Sequence, residues 1–291
     1  MTSKGQPAIT LLYAPADRPE RFIKALESGA DAVIFDLEDA VAPSAKEQAR
    51  DNLVELFSPA EPTAPQARAI QAALNNVQLQ VRINAVDSTW FEKDLELVQS
   101  LPLGVGVRVP KAEFTTTVAL CAQKLPGRDL FLLLESALGI ENAFALASAS
   151  PQVKGISLGE ADLRSQLGIT GDRGLEYARS RAVYAAAAAG LNPPAMAVYA
   201  SVKDMDGLAR SCQEGKALGM FGRTAIHPRQ LETIRAVFMP SAAEIAQAQE
   251  IVDRMATATQ SGSGTVVLAD GTFLDVAMVA RAQRILRVAH T

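Results

Sequence analysis

Short apolar runs alternate with helix-period segments almost from the first residue. Runs suited to buried strands occupy residues 8–15, 32–37, 79–84, 106–110, 130–135, 155–159, 195–201 and 220–226. Amphipathic or alanine-rich stretches fill the gaps, among them residues 20–28, 92–101 and 206–218. Most of the strand-like runs are continuously apolar rather than alternating, as a parallel sheet covered on both faces requires. Eight such βα units within about 240 residues predict a TIM (β/α)₈ barrel. A doubly wound open sheet is the structural alternative. It would offer one dominant ligand loop, whereas here polar residues follow nearly every strand.

Two stretches break the rhythm. "SPAEPTAPQA" (residues 58–67) reads as a surface loop between the second helix and the third strand. Beyond about residue 240 come a helix from Ser241, a loop or hairpin in "SGSGTVVLADG", and a final helix through His290. The expected division is therefore a barrel over 1–240 and a C-terminal helical extension over 241–291. That extension is not needed to close a barrel, so it must pack on a neighbour or on another subunit.

Composition narrows the class. The chain has 291 residues, 48% of them hydrophobic, which suffices for a sizeable core. A net charge of −4 with no lysine or arginine run gives no nucleic-acid face. Cys121 and Cys212 lie far apart in no metal-ligand spacing, so buried, reduced thiols are expected. The N-terminus lacks the apolar stretch of a signal peptide, and no run is long enough to span a membrane. A cytoplasmic protein is the expectation.

The chemistry collects at the strand ends, which converge on one face of a barrel. They carry Arg18, then Asp36, Glu38 and Asp39, then Arg82 and Asn84, then Lys111 and Glu113. Glu135 and Ser136 follow on the fifth strand, Glu160 and Asp162 on the sixth, and His227 on the eighth. Glu135 ends a core strand, where an unpaired carboxylate is costly. Two readings answer this. Either Glu135 and Asp162, from adjacent strands, share a divalent cation, with all-oxygen ligation favouring Mg²⁺ over Mn²⁺; or Glu135 pairs with Arg82 or Lys111 in a structural ion network. Arg82 offers a planar donor fork suited to a carboxylate or an enolate oxygen, and Asp36 or Glu38 could hold that fork in place. Lys111 invites an imine reading, but surrounding carboxylates keep a lysine protonated. His227 reads as a packed structural histidine. No glycine-rich phosphate fingerprint follows the first strand.

These motifs, "LLYAPADRPERFIKALESGADAVIFDLEDAV", "VRINAVDSTWFEKDL", "VPKAE", "ESALGIENA", "GEADL" and "ALGMFGRTAIHPRQ", resemble the citrate lyase β-subunit-like family of the HpcH/HpaI aldolase superfamily. The likeness spans nearly the whole chain and keeps the motif order. It implies a Mg²⁺-dependent carbon–carbon lyase, trimeric or hexameric, acting on CoA thioesters such as malyl-, citramalyl- or citryl-CoA. By the same resemblance Glu135 and Asp162 are metal ligands, Arg82 stabilises the enolate, and Arg18 contacts the oxoacid carboxylate or thioester region. Arg21 and Lys24 could meet CoA phosphates. "DGTFLDVAMVARAQRIL" resembles the C-terminal segment in which an aspartate, here Asp275, is the acid/base that reaches a neighbouring subunit; an N-cap is its plain alternative. The chain departs from the family pattern where Ala197 and Ser201 replace acids of the seventh-strand motif, and where "GEADL" replaces "GAEDL". A CoA-independent aldolase, a thioesterase or synthase on the same site, and a non-catalytic lyase subunit are the rival readings.

Overall fold

A computed structural model of the chain describes residues 7–58, 65–260, 266–267, 273–274 and 276–289. The first strands and helices are β1 (Thr10–Pro15), α1 (Phe22–Leu26), β2 (Ala32–Asp36), α2 (Lys46–Phe57), α3 (Pro65–Asn76) and β3 (Gln78–Arg82). Next come α4 (Phe91–Ser100), β4 (Val105–Val109), α5 (Thr115–Lys124), β5 (Leu130–Leu134), α6 (Ala137–Glu141) and α7 (Ala143–Ala147). Then follow β6 (Val153–Leu158), α8 (Glu160–Leu167), α9 (Glu176–Ala188), α10 (Met205–Ala217), β7 (Arg223–Ala225) and α11 (Gln230–Phe238). The last elements are α12 (Ala242–Gln260), β8 (Val266–Val267), β9 (Phe273–Leu274) and α13 (Val276–Ala289). Two compact units result, parted after Phe238.

The larger unit holds seven parallel strands in the order β6-β5-β4-β3-β2-β1-β7. This corrects the closed eight-stranded TIM barrel expected from the sequence: the sheet is an open half-barrel. The missing stave is the run at 195–201. It touches the sheet only through the Met196–Arg223 bridge. Its backbone–backbone bonds face the β7 edge: Met196 N–H donates to Gly222 O, Thr224 N–H to Met196 O, and, just before the run, Phe221 N–H to Pro194 O. Among the described residues it forms no ladder with β6. Pro193 and Pro194 supply no N–H, and the small side chains of "AMAVYAS" offer little cross-strand burial.

The other seven predicted strands form, six of them within two residues of the expected limits, while the eighth keeps only Arg223–Ala225. β2 shows why they hold. Phe35 packs edge-on against Phe22 of α1 at 5.1 Å and Phe57 of α2 at 5.8 Å. Each such pair adds about 0.5–1.5 kcal/mol beyond burial. That clamp makes the turn after Asp36 a rigid support.

The inner face of the sheet is not the apolar filling of a closed barrel. Arg108 of β4 reaches across it, donating to Gln80 Oε1 at 3.0 Å and to Ser157 Oγ at 2.6 Å.

In the smaller unit α12 and α13 pack through Met255, Ile251, Met278 and Val279. Val266–Val267 pairs antiparallel with Phe273–Leu274, the hairpin alternative for that stretch. Asp275 lies outside the described residues, as does most of the 58–67 loop, whose last residues begin α3 at Pro65.

Candidate active site

The cluster is built from consecutive strand ends. Asp36 closes β2, and its carboxylate accepts the Glu38 N–H at 2.9 Å, which curls the "FDLED" turn back over the strand. Arg82 closes β3 in register with Asp36. Its fork meets that carboxylate squarely, Nε to Oδ1 at 2.7 Å and Nη2 to Oδ2 at 2.6 Å. Nη1 lies 2.8 Å from Glu38 Oε2 and 3.1 Å from Asp39 Oδ2, and the guanidinium sits over the Tyr13 ring at 4.9 Å. Burial works against the Arg82 charge, yet the Asp36 bond and the other nearby anions outweigh it and raise its pKa.

A second buried cation fixes the same turn. Lys46 donates to Leu37 O at 2.6 Å, Glu38 O at 2.7 Å and Asn84 Oδ1 at 2.8 Å. Asn84 in turn donates to Asp94, so this sequence candidate is a brace for the turn.

Glu135 follows β5 and is only 4% exposed. Gly159, after β6, lies directly beneath it; a Cβ there would meet Glu135 Cβ and Oε2 at 2.4 Å. Glu135 Oε1 accepts the Lys111 N–H at 2.7 Å. Among the described residues no basic side chain stands within 4.0 Å of its carboxylate, which sets aside the structural pairing with Arg82 or Lys111. Burial, then the Glu38 charge, pushes Glu135 up to about 8, and Asp162 adds to the push. Asp162 is half-buried in the first turn of α8, where the helix end favours a carboxylate. Burial, opposed chiefly by Arg82, pushes Glu38 up to about 7.

Five carboxylates (Asp36, Glu38, Asp39, Glu135, Asp162) thus face four cations (Arg82, Arg108, Lys111 and Lys46), a surplus of one negative charge when all are ionised, which favours a bound cation. Among the described residues no group of three or more His, Cys, Asp or Glu forms a metal cage. An ion held by Glu135 and Asp162 would complete its shell with water and ligand oxygens, which is the habit of Mg²⁺. The residues present fit the ion.

Other candidates fall elsewhere. Glu160 is locked to Arg179 in a buried two-bond pair at 2.7 and 2.8 Å. Ser136 caps α6 by accepting from Gly139 N–H, and His227 Nδ1 accepts from Arg229 N–H. Arg18, Arg21 and Lys24 are exposed, and Arg18 makes only a loose 3.8 Å contact with Asp17. Ala197 is buried with its carbonyl accepting from Arg223, while Ser201 is exposed. Lys111 has its pKa raised, since the carboxylates outweigh burial, which rules against imine chemistry. Both cysteines are free and buried. No described helix is long and apolar enough to cross a membrane.

Sequence reasoning missed Tyr13, Lys46, Arg108 and Gly159. Arg108 carried a usable signal, a charge inside the apolar run "VGVRV". Gly159, just before Glu160, was another. Lys46 opens a charged helix and looks like any surface lysine.

The HpcH/HpaI aldolase/citrate lyase family matches residues 10–228. A (3S)-malyl-CoA thioesterase of Cereibacter sphaeroides is 34% identical over 100% of this chain and 97% of its own length. A citrate lyase subunit beta of Leuconostoc mesenteroides subsp. cremoris is 30% identical over 97% of this chain and 93% of its own. Among solved structures, CitE of Mycobacterium tuberculosis in complex with magnesium, acetoacetate and coenzyme A superposes with a TM-score of 0.77 at 31% identity, covering 100% of both chains. By sequence and by fold, this chain belongs to the HpcH/HpaI aldolase/citrate lyase family and, within it, to the citrate lyase β-subunit-like group.

Proposed function

We propose that the chain is a Mg²⁺-dependent carbon–carbon lyase that cleaves a hydroxyacyl-CoA thioester into an acyl-CoA and a 2-oxoacid, and joins them in reverse. The observation that carries this reading is Glu135: a buried strand-end carboxylate, beside Asp162, with no basic side chain within 4.0 Å among the described residues. The family and the CitE complex with magnesium, acetoacetate and coenzyme A support the same chemistry.

Glu135 and Asp162 hold the ion in this proposal, and the bound ion supplies Lewis-acid polarisation of the oxoacid oxygens. Arg82 stabilises the enolate oxygen of the departing acyl-CoA. Of its five N–H groups, two are spent on Asp36 and Nη1 is shared between Glu38 and Asp39. Asp39 has a 64% exposed side chain, so it can swing away and free a donor for the enolate. Asp36 and Glu38 stay as the orienting partners. Asp275, from a neighbouring copy in a homotrimer or hexamer, takes the substrate hydroxyl proton as the carbon–carbon bond breaks and returns a proton to the enolate carbon. Arg18 contacts the oxoacid or thioester end, and Arg21 and Lys24 meet CoA phosphates.

The test is a panel of malyl-, citramalyl- and citryl-CoA with and without Mg²⁺, scored for both fragments. Oxoacid and acyl-CoA appearing together, only with the ion, is the expected result; intact thioesters throughout would end the reading. A second reading has one specific support, the 34% identical malyl-CoA thioesterase. Release of free CoA with malate, and no glyoxylate, would decide for it.

A further inference from the structure

Lys111 is the one described residue other than glycine with a positive φ, at 47°. In that region a Cβ crowds the backbone, and the conformation persists only where the surroundings impose it. Here they do. Ala112 N–H is bound to Leu133 O at 3.1 Å, and Asn142 Nδ2 donates to Glu113 O at 2.9 Å. Gly139 presses so closely behind the loop that a Cβ on it would meet Ala112 O at 2.7 Å.

Two things follow from this twist. Lys111 spends its N–H on Glu135 Oε1 rather than on the sheet ladder. Its ammonium, on a side chain 51% exposed, stands 3.7 Å from Glu38 Oε1 at the rim of the carboxylate cluster. That distance is longer than the 2.7–2.9 Å of a charge-assisted hydrogen bond. Arg82 holds the other oxygen of Glu38, Oε2, more tightly, at 2.8 Å. The Lys111 ammonium is therefore held by charge yet left unengaged, facing solvent beside the residues proposed to carry the ion.

We propose that Lys111 is a substrate-binding residue whose strained backbone is retained so that its ammonium takes the carboxylate of the 2-oxoacid while its N–H holds Glu135. The proposal rests on the lyase reading for the identity of that carboxylate. Its test is chosen to fail separately, by measuring binding rather than turnover.

Pyruvate binding at saturating Mg²⁺, CoA binding and Mg²⁺ binding are measured calorimetrically for the full chain and for Lys111→Met, Lys111→Arg, Lys111→Ala and Lys111→Gly, together with melting temperatures. Lys111→Met should weaken pyruvate at least tenfold, leave CoA unchanged, and leave Mg²⁺ equal or tighter because a like charge has gone. Lys111→Arg should restore part of the pyruvate affinity. Lys111→Gly should melt above Lys111→Ala, since glycine relieves the left-handed strain and alanine keeps it. Pyruvate affinity unchanged in Lys111→Met, a loss confined to CoA, or Lys111→Gly melting below Lys111→Ala would each overturn the proposal. A wild-type protein that binds no pyruvate overturns it together with the lyase reading. One that binds pyruvate through Lys111 yet cleaves no thioester supports it and removes the lyase reading alone.

Discussion

Replacing Gly159 by alanine probes the support beneath Glu135. The added Cβ would sit 2.4 Å from both Glu135 Cβ and Oε2, whereas ordinary contact begins at 3.4 Å. About 1 Å of movement is needed. The Cβ contact cannot be relieved by turning the far end of a flexible side chain. The carboxylate must move away from its 2.7 Å bond to Lys111 N–H. Overpacking of this kind costs about 1–3 kcal/mol of stability. A 1 Å misplacement at a reacting centre costs on the order of 10²-fold in rate, or about 2.7 kcal/mol of barrier. Gly155→Ala, on the strand that leads to Gly159, is the control, because its Cβ would meet only the Phe131 ring, at 3.4 Å. Mg²⁺ calorimetry and thioester cleavage should both collapse in Gly159→Ala and survive in Gly155→Ala, with both variants folded by circular dichroism. A folded Gly159→Ala with wild-type affinity and turnover would refute the claim that Glu135 is placed for the ion.

Three more outcomes follow from the same geometry. Glu135 is raised from 4.5 to about 8 and Glu38 from 4.5 to about 7, so the folded state binds more protons than the unfolded one across that window. Ion-free stability should therefore fall as pH rises from about 5 to 8, by a few kcal/mol at most, and the melting-temperature gain from Mg²⁺ should grow over the same range; a gain independent of pH would contradict it. Lys46→Met removes three buried hydrogen bonds and leaves Asn84 Oδ1 without its donor, while Leu37 O keeps Asn84 Nδ2 and Glu38 O keeps Val41 N–H; chemical denaturation should show a loss of roughly 3 kcal/mol, with catalysis falling as the Glu38 turn loosens. Arg82→Lys keeps the charge but loses the fork on Asp36, and kcat should drop about 10²–10³-fold with Mg²⁺ affinity held.

Much of this was legible in the chain. Continuous apolar runs marked six of the seven sheet strands closely, because strands buried on both faces leave a plain pattern. The closed barrel was not, since the run at 195–201 is apolar enough to count as a strand but follows two prolines and pairs on one side only. Asp36, Glu38, Arg82, Lys111, Glu135 and Asp162, all taken from strand ends, lie close enough to act on one another's charge. That Glu160 is spent on a structural pair shows only in its partner, Arg179. Lys111's strain and Gly159's closeness were not legible, being properties of backbone geometry rather than residue type.

Everything proposed for catalysis depends on Glu135 and Asp162 acting as a pair of oxygen ligands on one hard dication. Magnesium titration of the wild type, Glu135→Gln, Asp162→Asn and the double variant addresses this directly. A single saturable site in the wild type, weakened in each single variant and gone in a double variant that still melts cooperatively, is the predicted result. Undiminished Mg²⁺ binding in the double variant would place the ion elsewhere and contradict the account.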